Sequence, residues 1–158
     1  MTNRTNLAAT SLIRAFDGRR LVALDPLAER LTEADAYAGQ TAILRDEAIA
    51  GWKVAPARAG QHRCSPLGAS RLLTDGAALP AGMHAPLVEV ELALHLGQDI
   101  PAGADADQVI AAIGGVSLAF EILGSRFADR KAVSPLSALA DAQSNRAFVA
   151  GGETVSWT

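Results

Sequence analysis

Two segments of the chain alternate apolar and polar residues in the way that is typical of β-strands. In residues 87–96 every even position is apolar, whereas the odd positions include Glu89, Glu91 and His95. In residues 116–122 Glu121 stands opposite a second apolar face, formed by Val116, Leu118, Phe120 and Ile122. Because successive side chains of a strand point to opposite faces, each segment is predicted to turn its apolar face to the core and its glutamates to the other side.

The N-terminal residues have helical spacing. The apolar positions from about Asn6 to Phe16 predict a short amphipathic helix. A second helix is predicted to begin at Thr32, because Thr32-Glu33-Ala34-Asp35 has the pattern of a capping box, and to end near Gly51.

The rest of the chain reads as short strands separated by two short helices. Trp52 begins a strand, and a polar connection containing Pro and Gly follows as far as about Gly68. One helix is predicted after Asp105 or Asp107 and is ended by Gly114-Gly115, and the other begins at Ser134-Pro135. Further strands are predicted at residues 71–73, 147–150 and 155–157.

The pattern indicates an α+β fold, with a helical segment at residues 1–50 and a β-rich catalytic portion at residues 51–158, which form one structural unit.

Composition excludes several classes of protein. A chain of 158 residues with 49% hydrophobic and 20% charged residues is expected to form one compact domain. The net charge of −3 predicts no nucleic-acid partner and no anionic membrane surface as partner. A single cysteine, Cys64, fits a reducing compartment, and the N-terminus lacks the apolar core of a signal peptide. A cytoplasmic location is therefore expected.

The three glutamates of the alternating segments are the strongest candidates for chemistry. Strands are depleted in Glu, and neighbouring like charges repel each other. A hard divalent cation would relieve the repulsion between Glu89, Glu91 and Glu121 and would use their oxygens as ligands. The alternative is that Glu89 and Glu91 form the solvated face of an edge strand. His95 is left out of the ligand set, since strand rise places it about 13 Å from Glu91.

Several segments, in order, resemble the 2-keto-4-pentenoate hydratase branch of the fumarylacetoacetate hydrolase superfamily. The resemblance covers about residues 36–152, nearly the whole chain, and known relatives are longer. The C-terminal part of the family's mixed sheet, or β-roll, is therefore expected to be missing. The matching segments are Asp35-Ala36-Tyr37 with Gln40, Gly51-Trp52-Lys53-Val54, Val88-Glu89-Val90-Glu91, Phe120-Glu121-Ile122 with Ser125-Arg126, and Ala140-Asp141 with Ser144 and Gly151-Gly152.

The resemblance implies roles for individual residues. Glu89, Glu91 and Glu121 match the positions that hold Mg²⁺ or Mn²⁺, and Lys53 matches the catalytic acid/base. Without the resemblance, Lys53 reads as a surface lysine that follows a packed Trp52; Trp157 is also read as a packing residue. Asp141 and Ser144 are candidates for substrate binding, or for fixing a loop near the pocket or capping a helix.

The resemblance also implies a reaction. Members of this branch are hydratases (hydro-lyases) that add water to 2-hydroxy-dienoates or 2-oxo-enoates from the catabolism of aromatic compounds. The alternatives are decarboxylation of a 2-oxo-diacid by the same metal site, and a truncated homologue that acts as a structural partner without turnover. The expected partners are a small 2-oxo or 2-hydroxy acid and a second protein chain, which is either another copy of this chain or a decarboxylase of the same pathway.

Overall fold

The computed structural model describes residues 10–15, 21–22, 31–58, 60–83 and 86–157. Residues 10–15 are helical (α1), and the rest of the helix predicted from Asn6 to Phe16 lies outside the described residues. The predicted α+β class is confirmed. None of the described helices is both long and apolar enough to cross a membrane. The other helices are α2 (Glu33–Leu44), α3 (Ala106–Ala111) and α4 (Pro135–Ala140), and the strands are β1 (Ile49–Arg58), β2 (Gln61–Gly68), β3 (Leu72–Leu73), β4 (Leu87–Leu96), β5 (Ile113–Leu123) and β6 (Asn145–Ala150).

All three of these helices begin at a side-chain cap that the sequence predicts. The Oγ1 atom of Thr32 accepts a hydrogen bond from the Asp35 backbone N–H at 3.2 Å, and the Asp35 carboxylate accepts one from the Thr32 N–H at 3.1 Å. Asp105 caps α3 and Ser134 caps α4. Helix α2 ends at Leu44, before the predicted Gly51, because Arg45 has a φ of 58° and leaves the helical conformation.

The strand predicted to begin at Trp52 is part of β1, which pairs with β2 in an antiparallel hairpin; β2 lies where a polar connection as far as about Gly68 is predicted. The predicted polar connection is wrong, since Pro56 lies within β1 and Pro66 within β2 although proline is uncommon in strands. In a sheet of two strands each strand has a free edge, so the missing proline N–H is tolerated. The pairing of Lys53 with Ser65 and of Gly51 with Leu67 fixes the register of the hairpin.

The second sheet is mixed and has four strands in the order β3-β6-β5-β4. Strand β5 pairs antiparallel with both β4 and β6, and β3 pairs parallel with β6. Gly114 lies within β5 and does not end a helix; a side chain there would come within 3.1 Å of the Gly97 backbone, so the close approach of β4 and β5 requires glycine. The predicted last strand, residues 155–157, is reduced to an isolated bridge between Val155 and Val116.

Two apolar clusters hold these elements together. The first lies between the helices. The second places Leu67 of the hairpin against Ala119 of β5 and Phe148 of β6, with Ala93 at its margin. The hairpin therefore packs on the odd-numbered face of β4 and β5. The residues of the first cluster are Leu12, Leu31, Ala36, Ile43, Phe127, Leu139 and Ala140.

The prediction that the apolar face of β4 and β5 points to the core is wrong. Val90, Leu92 and Leu118 are 69%, 67% and 63% exposed, since the hairpin covers the opposite face. Trp52 and Trp157, which were expected to be packing residues, are also exposed. The even-numbered face is apolar along its whole length, and we call it the apolar face; its exposed members are Val88, Val90, Leu92, Leu94, Leu96, Leu118 and Phe120.

Candidate metal centre

The register of β4 and β5 brings the three predicted glutamates together. Glu89 lies directly opposite Glu121 in the ladder, and Glu91 follows two residues later on the same face. One carboxylate oxygen from each residue lies within 4.8 Å of the others, a spacing that could hold a metal ion. Glu121 is fully buried, Glu91 half-buried and Glu89 exposed, so the cluster opens to solvent on the β4 side.

Lys53 reaches this cluster from the hairpin. Its ammonium group donates a hydrogen bond to Glu121 Oε2 and lies 3.6 Å from Glu89 Oε2. The Lys53 side chain is only 10% exposed, so the reading as a solvated surface lysine does not describe it. A cation thus already balances part of the negative charge of the cluster.

A buried amide holds the other oxygen of Glu121. The Nδ2 atom of Asn145 donates a hydrogen bond to Glu121 Oε1 at 2.8 Å, and Asn145 is fully buried at the start of β6. Among the described residues, no donor reaches Asn145 Oδ1. Asn145 is not among the site residues that the sequence predicts. Its only signal is an asparagine in a strand, a position that strands disfavour.

Behind Asn145 lies a buried ion pair. Arg126 Nη1 donates to Asp141 Oδ1 at 2.8 Å, and Arg126 Nη2 donates to the backbone carbonyl of Asn145 at 3.0 Å. The Ser125 hydroxyl donates to Asp141 Oδ2 at 2.9 Å. Burial raises the pKa of Asp141, and the Arg126 guanidinium partly offsets that rise. The pair connects the loop after β5 to the residue that holds Glu121.

Asp141 and Ser144 therefore lie behind the site. Both are buried, and the Asp141 contacts match the alternative in which this residue fixes a loop. Substrate binding by either residue stays a prediction.

The backbone before Asn145 has left-handed φ values of 50°, 53° and 66° at Ala142, Gln143 and Ser144. Such a run is costly for residues other than glycine. The backbone leading into Asn145 is thus strained.

The donor set suits a hard divalent cation. Burial raises the pKa of Glu91, and the negative charges of Glu121 and then Glu89 raise it further, whereas Lys53 lowers it. Three converging carboxylates are the oxygen ligands that Mg²⁺ and Mn²⁺ prefer, and a dication would relieve their mutual repulsion. The residues present fit such a metal.

His95 is separated from the cluster, in agreement with its exclusion from the predicted ligands. Its Nε2 atom lies 2.8 Å from the hydroxyl of Ser117 on β5. Ala93 lies between His95 and Glu91 on the same face and packs against the cluster that contains Leu67. The imidazole is thus held by a local partner on the far side of the hairpin contact.

Comparison with solved structures shows where this fold occurs. The chain is similar to 4-oxalocrotonate decarboxylase from Pseudomonas putida G7, both as its complex with magnesium and adipate (TM-score 0.84) and as its complex with calcium and acetate (TM-score 0.81). In each comparison the identity is 24%, and the match covers 99% of this chain and 65% of that chain. This chain thus spans a little under two thirds of the length of those proteins.

The comparisons establish the fold and leave the branch open. 4-Oxalocrotonate decarboxylase belongs to the fumarylacetoacetate hydrolase superfamily, so the predicted fold type is confirmed. The hydratase branch is not confirmed, since these neighbours are decarboxylases. No protein-family model matches the chain, and no curated protein matches it.

Proposed function

We propose that this protein is a divalent-metal-dependent enzyme that acts on a small 2-oxo or 2-hydroxy acid. In this proposal Glu89, Glu91 and Glu121 hold Mg²⁺ or Mn²⁺, and Lys53 is the acid/base. The observation that carries the proposal is the convergence of three carboxylates with the ammonium group of Lys53 already among them. Structural neighbours of the same fold bind magnesium or calcium together with a carboxylic acid, which supports this reading.

Each residue has a distinct part in the proposed chemistry. When bound, the dication supplies Lewis acidity that stabilises the negative charge developing on the 2-oxygen of the substrate. In this proposal Lys53 moves a proton at a substrate carbon, and its position beside two of the carboxylates supports that role. Asn145 orients Glu121, and the Arg126–Asp141 pair holds Asn145 in place.

Two reactions share this charge development. The sequence resemblance favours hydration of a 2-hydroxy-dienoate from aromatic catabolism. The structural neighbours favour decarboxylation of a 2-oxo-diacid, because both are 4-oxalocrotonate decarboxylases. The third alternative, a homologue without turnover that serves as a structural partner, keeps the metal centre and loses the reaction.

Metal binding and turnover are tested separately. Mg²⁺ or Mn²⁺ is expected to raise the melting temperature of the protein, and added metal is expected to permit turnover of a 2-hydroxy-dienoate or a 2-oxo-diacid, followed by absorbance. Lys53→Met should abolish turnover while it keeps the metal-dependent rise, since it removes a competing cation. Glu153→Gln, an exposed change outside the site, is the control. A protein that does not respond to either metal contradicts the proposal, and a metal response without turnover of either substrate supports the structural-partner alternative.

We further propose that a second copy of this chain covers the apolar face. Its seven residues are each about half to two thirds exposed and together expose on the order of 700 Å². A standard interface buries about 800 Å² per partner, so this face is large enough for a dimer. The alternative partner, a decarboxylase of the same pathway, would compete for the same surface.

A cytoplasmic location remains a prediction that depends on the single cysteine.

A further inference from the structure

The residues of the metal centre come from two different sheets. Lys53 lies on β1 of the hairpin, whereas the three glutamates lie on β4 and β5 of the four-stranded sheet. The apolar contact of Leu67 with that sheet has no directional preference, so it holds the hairpin in place without fixing the position of the Lys53 ammonium group. Hydrogen bonds have restricted distances and angles. A second polar contact between the hairpin and the sheet can therefore fix that position.

Ser65 makes such a contact. It lies directly opposite Lys53 in the hairpin ladder, so the two side chains project from the same face of the hairpin. Ser65 is fully buried, and its hydroxyl donates a hydrogen bond to Gln143 Oε1 at 3.1 Å. Gln143 lies two residues before Asn145, the residue whose amide holds Glu121. The Ser65 hydroxyl thus connects the strand pair that carries Lys53 to the segment behind the carboxylates.

The amide of Gln40 orients the Ser65 hydroxyl from helix α2. The Nε2 atom of Gln40 donates to Ser65 Oγ at 2.9 Å and to the backbone carbonyl of Leu139 at 2.6 Å, and the Cys64 carbonyl lies 3.3 Å away. Gln40 is itself buried. Since the hydroxyl oxygen accepts from Gln40, its hydrogen is left to point at Gln143. Gln40, Ser65 and Gln143 therefore form one continuous chain of hydrogen bonds.

Gln143 is a fixed anchor on the far side of this chain. The residue after it, Ser144, is buried, and its carbonyl accepts a hydrogen bond from the Gly124 N–H at 2.8 Å. Gly124 directly follows β5, and β6 begins at Asn145. The anchor therefore belongs to the four-stranded sheet. Loss of the contact with Ser65 frees the hairpin and leaves the glutamates where they are.

We infer that Gln40, Ser65 and Gln143 are positioning residues, which hold Lys53 at a fixed place relative to the metal centre. The inference rests on the proposed function, because it requires that Lys53 transfers a proton. A displacement of about 1 Å between reacting groups lowers a rate by up to roughly a hundredfold. The spacing of the carboxylates does not depend on the hairpin. Breaking the chain of hydrogen bonds should therefore slow proton transfer and leave metal binding unchanged.

Proton transfer at carbon can be followed with a simple 2-oxo acid. The full chain is incubated with Mg²⁺ and 2-oxobutanoate in D2O, and the replacement of the C3 hydrogens by deuterium is followed by NMR. In each exchange the C3–H bond breaks, its proton passes to the neutral amine of Lys53, and its electron pair moves toward the 2-oxygen. A deuteron that the amine has taken from the solvent then adds to C3. The exchange above that of Lys53→Met is the activity.

Ser65→Ala should lower kcat for this exchange by roughly ten- to a hundredfold and change KM by less than about twofold. Its Mg²⁺-dependent rise in melting temperature should equal that of the parent. Gln143→Met removes the acceptor from a half-buried position at little change in volume, so it should show the same fall even where Ser65→Ala does not fold. Ser117→Ala is the matched control, since Ser117 is a buried strand serine whose hydroxyl lies 2.8 Å from His95 Nε2, and it should exchange at the parent rate.

The outcomes separate this inference from the proposed function. Exchange at the parent rate in Ser65→Ala and Gln143→Met overturns the inference, and Lys53-dependent exchange by the parent then still supports the proposed function. An equal fall in Ser117→Ala, or a loss of the Mg²⁺ response in Ser65→Ala, also overturns it, because the effect would then not be specific to Lys53. A parent that exchanges no faster than Lys53→Met contradicts the proposed role of Lys53, and the inference with it.

Discussion

The two faces of the β4–β5 strand pair differ in polarity, and their exposure is the reverse of what polarity alone suggests. The face with three glutamates is covered by the β1–β2 hairpin, and Glu121 is fully buried there. The apolar face, with Leu92 and Leu118 directly opposite each other, is open to solvent. Burying carboxylates is costly, so a sheet that does so has a use for them. The large exposed apolar surface is the feature on which the proposed second copy of this chain would pack.

The largest expected effect concerns the apolar face. Replacing Leu92 and Leu118 with lysine should make the protein monomeric at concentrations where the parent is dimeric, as measured by sedimentation. Each buried leucine contributes about 1.5–3 kcal/mol, so the pair should weaken association by roughly 3–6 kcal/mol. The control is Glu89→Gln on the opposite face, which should leave association unchanged. A parent that is monomeric at every concentration would contradict the second copy as occupant and would leave another protein as the candidate.

The buried ion pair of Arg126 and Asp141 supports the glutamate face through Asn145. Arg126→Met leaves the buried Asp141 carboxylate without its cation and removes the hydrogen bond that Arg126 donates to the Asn145 carbonyl. The expected loss is about 3–5 kcal/mol in the free energy of unfolding, measured with urea. Lys131→Met, a change of an exposed cation on the same loop, should cost less than about 0.5 kcal/mol. Similar losses in the two variants would show that the pair does not support the site.

Metal binding should distinguish neighbouring residues of one strand. At a metal concentration one hundred times the Kd, binding stabilises the folded protein by about 2.7 kcal/mol. Glu91→Gln should lose most of this gain, whereas Val90→Thr, one residue away on the apolar face, should retain it. The rise in melting temperature with added Mg²⁺ is the measurement. Equal responses from the two variants would place the ion elsewhere.

The sequence predicts local features well because their determinants lie close together in the chain. The caps at Thr32, Asp105 and Ser134 each depend on residues three positions apart. The period of two along a strand is also local, so it correctly separates Glu89 and Glu91 from Val88 and Val90.

What the sequence leaves open depends on contacts between distant segments. Leu67 packs against β5 and so determines which face of β4 and β5 is covered. It lies in strand β2, which the sequence does not predict because that segment contains proline. The role of Asn145 depends on Glu121 of β5 and on Arg126, which lies in the loop beyond that strand. Neither contact has a periodic signal in the chain, so only the folded structure shows that Glu121 is buried beneath the hairpin.

The smallest expected effect is a pH dependence of the free energy of unfolding, which arises from Glu91 on the glutamate face. The pKa of Glu91 is raised in the folded, metal-free protein, so the folded state binds more protons than the unfolded state between the two pKa values. This contribution to the free energy of unfolding is complete below the pKa that Glu91 has in the unfolded chain. It is lost as the pH rises through the higher pKa that Glu91 has in the folded protein. In EDTA, acidification from neutral pH should therefore stabilise the parent relative to Glu91→Gln, as followed by urea unfolding. Val90→Thr should follow the parent. Curves for Glu91→Gln and the parent that stay parallel throughout would mean that Glu91 is not held against its neighbouring carboxylates, and the difference between the two faces would then be one of exposure alone.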